Sequence, residues 1–186
     1  MTKKEIIFWK NEYDKEEDLY DKGLEGRLGK KFQKNKLFTK SDLIEIVRWK
    51  FQSPRLLGRR KRVLSFIDRN KESTIREFSK LAFSRNKNDE TKLKLLSSPN
   101  IKGMGNALAS VILAFYNPKN YGVLDIHAWR ELFDKKIGEE PKDLFSNHEK
   151  AIEFFNKLRG ISSKTGLYCR DIEKALFKKN LDESKI

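Results

Sequence analysis

The sequence predicts an all-α fold of nine or ten helices. Apolar residues recur at helical spacing along nearly all of its 186 residues, and no stretch alternates apolar and polar side chains as a half-buried strand does. Proline, glycine and asparagine clusters cut this pattern into helix-sized pieces. The length fits one domain, or two small lobes sharing a core, against a usual domain of roughly 100–200 residues.

An N-terminal helix comes first. Tyr20, Leu24, Leu28 and Phe32 then fall four apart and form a stripe, weakened by Gly23, Gly26 and Gly29. Thr39 stands as an N-cap ahead of KSDLIEIVRWKF, where Leu43, Val47 and Phe51 share one face until Pro54 breaks the run. Helical patterns follow over 55–68, 74–83 and 89–97, and Ser98-Pro99 closes the last of them. Leu108, Val111, Ile112 and Phe115 give the apolar face of the next helix, which ends at the turn cluster Asn117-Pro118-Lys119-Asn120. DIHAWREL reads as a short helix capped by Asp125. Ser146 and Glu149 read as a capping box for a helix carrying Ile152, Phe155 and Leu158. A final helix is expected from about Ser163, with Tyr168, Ile172 and Leu176 inward.

Lys and Arg number 41 against 27 Asp and Glu, a net charge of +14. That surplus sets up a positive field which attracts polyanions, nucleic acid before anionic membrane. With Cys169 as the single cysteine, an intramolecular disulfide and an all-cysteine metal or iron–sulfur site are excluded. His127 and His148 alone supply zinc poorly. No apolar run approaches the roughly 18 residues of a membrane span. The first residues turn acidic where a signal peptide would be apolar. An intracellular, soluble, reduced protein is expected.

The stretch NIKGMGNALASVILAFYNPKNYGVLDIHAWREL, Asn100 to Leu132, carries the chemistry. A helix, a turn with glycines two apart and a second helix make a helical hairpin. The first amides of that second helix have no intrahelical acceptor and form an anion site, with Lys102 beside them; the same glycines also suit a merely tight turn. Asp125 is equally an N-cap and a rigidly held carboxylate of the sort a reaction through a sugar cation requires. His127 is read as packing or binding phosphate rather than acting as a base, and Trp129 as core. GRRKR, with Arg59, Arg60, Lys61 and Arg62, is either a phosphate-contacting patch or a solvated helix face. RWK at 48–50 offers Arg48 or Lys50 to a cleft while Trp49 packs inside.

Together IKGMGNALAS and YGVLDIHAW resemble the helix-hairpin-helix DNA glycosylase superfamily, which includes endonuclease III and the 8-oxoguanine DNA glycosylases. Ile101-Lys102-Gly103-Met104-Gly105 matches the family's hairpin, approximately L-P-G-V-G, and Leu124-Asp125 its V-D. The Asp-Ile-His-Ala-Trp continuation is nearest in flavour to the 8-oxoguanine branch. The resemblance is specific over about 100–132.

It implies a two-lobed fold: a central lobe over 25–122 with the hairpin at 93–115, and a second lobe from 1–24 plus 123–186. It also implies that Asp125 is catalytic, stabilising the oxocarbenium ion as a flipped base leaves. Lys102, Gly103, Met104, Gly105, Asn106 and Ala107 would contact DNA, with His127 and the Arg59–Arg62 patch. A monovalent cation, Na+ or K+, would sit at the backbone of Ile101 and Gly103. No iron–sulfur cluster is expected. The partner would be double-stranded DNA, met by a monomer in the nucleoid or otherwise inside the cell. Ala107 stands where bifunctional members carry their lysine. A monofunctional enzyme is therefore expected, leaning to an oxidised purine such as 8-oxoguanine; the alternatives are a glycosylase/lyase using another lysine and a non-catalytic DNA-binding protein.

Overall fold

The computed structural model describes residues 1–16 and 19–184, the side chains of 19–22 excepted. Tyr20, the first residue of the expected stripe, lies among those exceptions. Ten α-helices and no strand occur among the described residues: α1 Lys3–Glu16, α2 Leu19–Asn35, α3 Lys40–Lys50, α4 Leu57–Asp68, α5 Glu72–Ala82, α6 Asp89–Leu96, α7 Asn106–Tyr116, α8 Ile126–Phe133, α9 His148–Thr165 and α10 Cys169–Glu183. The fold is all-α. No helix among the described residues is long and apolar enough to cross a membrane.

Local chemistry sets the boundaries. Thr39 caps α3 reciprocally: its hydroxyl accepts from Asp42 N at 3.3 Å, and the Asp42 carboxylate accepts from Thr39 N at 2.8 Å. Pro54 opens a single 3-10 turn, Pro54–Leu56, which leads into α4. Asn88 caps α6 through Thr91 N.

Three expectations need correcting. Asn147, not Ser146, caps α9: its Oδ1 accepts from Glu149 N at 2.9 Å, while the Ser146 hydroxyl donates back to Asp143 O. Helix α9 also runs past Ser163, because the Ser163 and Thr165 hydroxyls donate to the preceding turn instead of starting a new helix. Gly166, at φ 74°, ends it. Finally Tyr168 points outward, half exposed, as the residue before α10.

Helix α7 organises the rest. Every residue from Asn106 to Phe115 is buried, so the expected apolar face is instead a helix enclosed all round. Helices α2, α3, α6 and α9 pack on it, while α1, α8 and α9 pack on α10. Helix α9 therefore touches elements of both expected lobes, and one hydrophobic core runs through them. Leu24, Leu28 and Phe32 of α2 are fully buried.

Gly29 lets α2 approach closely, since a Cβ there would stand 2.7 Å from Phe115 O of α7. Gly26, three residues earlier, faces open space. Helix propensity alone favours alanine over glycine by about 0.5–1 kcal/mol; overpacking against backbone costs about 1–3 kcal/mol. Gly26→Ala is therefore expected to raise the urea midpoint and Gly29→Ala to lower it. Two shifts of the same sign would contradict this packing.

Candidate functional site

The link between α6 and α7 is a tight turn. Ser98 N donates to Met104 O at 3.0 Å, Met104 N to Ile101 O at 3.2 Å, and Ile101 N to Ser97 O at 3.2 Å. Asn70, two residues beyond α4, fastens this turn from outside. Its Nδ2 donates to Lys102 O at 3.0 Å, and its Oδ1 accepts from Lys102 N at 2.8 Å. Gly103 has φ 86°, and a Cβ there would lie 2.9 Å from Phe66 Cβ of α4. Both facts require glycine.

Between α4 and this hairpin lies a groove of about 600 Å³. Arg59, Arg62, Arg69 and Lys102 line it, along with Gly103 and Gly105. Aromatic rings place three of these cations. Arg62 and Arg69 lie over Phe66 at 5.9 and 5.3 Å, and Arg59 over Phe51 and Phe145 at 5.4 and 5.8 Å. Among the described residues, the amides of Gly103, Gly105 and Ala107 donate to no protein group. Those of Gly103 and Gly105, which line the groove beside four cations, make an anion site, because the N–H dipoles and the charges act in the same sense.

Asp125 sits at a second cavity, of about 560 Å³. Its place is set residue by residue along the extended segment before α8. Val123 N donates to Glu173 Oε2 at 3.1 Å, and Leu124 N to the buried Ser110 hydroxyl at 2.8 Å. That hydroxyl donates in turn to Ala107 O at 2.8 Å, tying the segment to the first turn of α7. Asp125 then caps α8, Oδ1 accepting from His127 N at 3.0 Å.

The other carboxylate oxygen, Oδ2, accepts from Lys50 Nζ at 2.7 Å. Lys50 ends α3, and its side chain is 12% exposed against 20% for Asp125. Burial opposes ionisation of Asp125, but the Lys50 ammonium and the His127 amide outweigh it and hold the carboxyl below the usual carboxylate range. His127 Nδ1 lies 3.0 Å from Asn180 Oδ1, a contact that fixes the ring at the cavity wall. Trp49, Val123, Ile126 and Phe177 give the cavity its apolar walls.

One run of chain borders both cavities in turn. Lys50, Gln52, Ser53, Arg55 and Leu56 border the Asp125 cavity, and the chain runs directly on into α4, whose Arg59 and Arg62 face the hairpin.

Several expected contacts lie elsewhere. Asn106 is buried and bonded at each of these atoms: its N donates to Phe145 O at 3.1 Å, Nδ2 to Asn147 O at 2.8 Å, and Oδ1 faces His148 Nδ1 at 2.7 Å. At 1% exposure its side chain is closed to a ligand. Met104 and Ala107 are also buried, so they can offer backbone only. Arg60 and Lys61 do not line the groove, since helical spacing turns them away from Arg59 and Arg62. Ile101 O already accepts from Met104 N and from the Ser98 hydroxyl at 3.3 Å, so both its lone pairs are engaged. That does not fit a monovalent cation held jointly by Ile101 and Gly103. Trp129 is core, stacked on Phe133. Of the RWK pair it is Lys50 that enters the cleft, while Arg48 is exposed.

Sequence reasoning missed Arg69, Asn70, Ser110 and Glu173. Arg69 had a signal, because Arg62, Phe66 and Arg69 follow the i, i+4, i+7 spacing of one helix face. The others act across long chain separations that no local pattern records.

No family model matches this chain, and neither the curated proteins nor the solved structures contain a similar one. Among the described residues no cluster of three or more His, Cys, Asp or Glu is placed to hold a metal. What the geometry offers is an ionised carboxylate against an amine in a partly apolar cavity, and an anion site at the groove that α4 lines.

The pair makes stability depend on acid. A carboxyl whose folded pKa lies below its unfolded value of about 3.9 contributes stability that is complete above that value and lost as pH falls through the folded one. Asp125→Asn keeps the cap and removes the charge. In urea titrations the variant is expected to be less stable than wild type at pH 7, the gap closing below about pH 4. A gap unchanged between pH 7 and 3 would show that the charge contributes nothing.

Proposed function

We propose that the chain is a DNA base-excision enzyme, a DNA N-glycosylase of the helix-hairpin-helix kind that its sequence resembles. The observation that best supports this reading is the seat of Asp125, an ionised carboxylate at a cavity bordered by the chain that runs on into α4 and the arginine-lined hairpin groove. The groove would hold a backbone phosphate, through the free amides of Gly103 and Gly105 and the charges of Arg59, Arg62 and Lys102. A nucleotide turned out of the duplex would then enter the cavity, whose volume is in the range of small-molecule sites, roughly 300–1,000 Å³.

As the N-glycosidic bond breaks, positive charge grows on the sugar. A fixed carboxylate in a site short of water stabilises that charge without having to reorganise. His127 lines the same cavity, its ring held by Asn180. The reading leans to an oxidised purine such as 8-oxoguanine as the base removed, with a monomer acting on double-stranded DNA in the cell.

Binding should follow the phosphate contacts. With a handful of phosphates neutralised, log–log salt slopes on the order of −3 to −6 are expected for a duplex, and Arg59→Ala with Arg62→Ala should make the slope shallower. Catalysis should follow Asp125. Against a panel of lesion-bearing duplexes, with alkali used to reveal abasic sites, wild type should release at least one base. Asp125→Asn should bind as before and release it about 100-fold more slowly or worse. Full activity in that variant leaves Asp125 only a helix cap. Binding with no release from any duplex would make the chain a non-catalytic DNA-binding protein.

A further inference from the structure

We propose that Lys50 is the amine of a lyase step, a nucleophile for the sugar C1′ supplied from α3 rather than from the hairpin. The inference rests on the DNA-sugar reading of the Asp125 cavity and replaces the monofunctional expectation drawn from Ala107.

Position comes first. Among the described residues, Lys50 is the one lysine that lines the Asp125 cavity. Ala107 is buried and does not line it. Lys102 is exposed and faces the hairpin groove, and Lys119 borders a different cavity beside Arg159 and Tyr168. A nucleophile must stand within near-attack distance of its carbon, so a lysine elsewhere on the surface is no substitute. Lys50 is also held rather than free: it closes the last turn of α3, next to a Trp49 that packs edge-on against Phe115 and lies under Arg170.

Charge comes second. A permanent ammonium 2.7 Å from Asp125 cancels much of the carboxylate's field and stands beside the place where a sugar cation would form. For a purely hydrolytic reaction that cation has the wrong sign. An amine that gives up its proton and bonds to the carbon removes the conflict, and the same carboxylate is placed to take the proton.

The step balances without any redox partner. Lys50 Nζ passes a proton to Asp125 Oδ2, and its lone pair forms a bond to C1′. The C1′–N bond to the base breaks, and its electron pair leaves with the base, which takes up a proton. The nitrogen, now a secondary ammonium, loses a second proton to water, and the lone pair so restored forms a C1′=Nζ double bond as the C1′–O4′ bond opens, O4′ taking a proton. Loss of a proton from C2′ expels the 3′ phosphate, and water hydrolyses the imine to return the amine. When the base is already missing, the same amine condenses with the C1′ aldehyde and releases water.

A preformed abasic duplex tests this without knowledge of the base removed. Wild type is incubated with that duplex and cyanoborohydride, which reduces an imine to a stable covalent adduct, and peptide mapping locates the modified lysine. Binding to a duplex carrying a tetrahydrofuran abasic analogue, which has no aldehyde, is measured alongside. The expected result is an adduct on Lys50 and strand cleavage at the abasic site. Lys50→Arg keeps a cation opposite Asp125, and so the fold, but cannot form the imine; adduct yield should fall by about 100-fold or more with analogue binding retained. An adduct on another lysine, or one that survives in Lys50→Arg, overturns the assignment. Analogue binding without any wild-type adduct leaves Lys50 as the counter-ion of Asp125, and the hydrolytic glycosylase reading stands alone. Failure to bind either duplex removes both readings.

Discussion

A guanidinium taken out of water must find acceptors for its N–H groups, since the cost of burial otherwise reaches several kcal/mol. Arg170, 3% exposed, meets that requirement with groups from four helices. Glu25 of α2 accepts from Nε and Nη2 at 3.0 and 3.1 Å, and Glu173 of α10 accepts from Nη1. The rings of Tyr13 in α1 and Trp49 in α3 each lie 5.8 Å from its central carbon. Asp125 and Lys50 each have a neighbour in this cluster. Glu173 also holds Val123 N, two residues before Asp125, and Trp49 is the neighbour of Lys50. Gly122 stays small for the same reason, because a Cβ there would come within 2.7 Å of Glu173 Cβ.

This arrangement explains what was legible in the sequence and what was not. Helix existence was legible nearly throughout, because periodic burial is written in adjacent turns: Leu24, Leu28 and Phe32 were spaced for one face and are buried. Thr39 and Asp125 were legible as caps because capping acts over two or three residues. The end of α9 was misread because Ser163 looks like a cap residue, while its hydroxyl and that of Thr165 in fact donate to carbonyls of the helix they belong to. Nothing local marks Arg170 as buried or Glu173 as the support of Val123, a bond that spans 50 residues.

The same limit applies to the amine. A motif assigns roles by position along the chain, and by that measure Ala107 leaves a gap. Space assigns them differently. Lys50 and Asp125 are 75 residues apart in sequence and share a hydrogen bond. Their meeting depends on α3 ending where it does, and Pro54 sets the 3-10 turn that follows and carries the chain away towards α4.

Asn106 has a wider consequence. Through its amide, side-chain nitrogen and side-chain oxygen it binds Phe145, Asn147 and His148, and so joins the glycine turn to the chain that enters α9. Asn70 fixes the same turn from the side of α4. A loop secured on two flanks cannot be reshaped without breaking bonds in both, so it belongs to the cooperative body of the protein instead of its mobile margin. Any ligand seated there meets a surface already in its final form. Little chain entropy is then lost on contact, and the distortion required for a fit falls on the ligand.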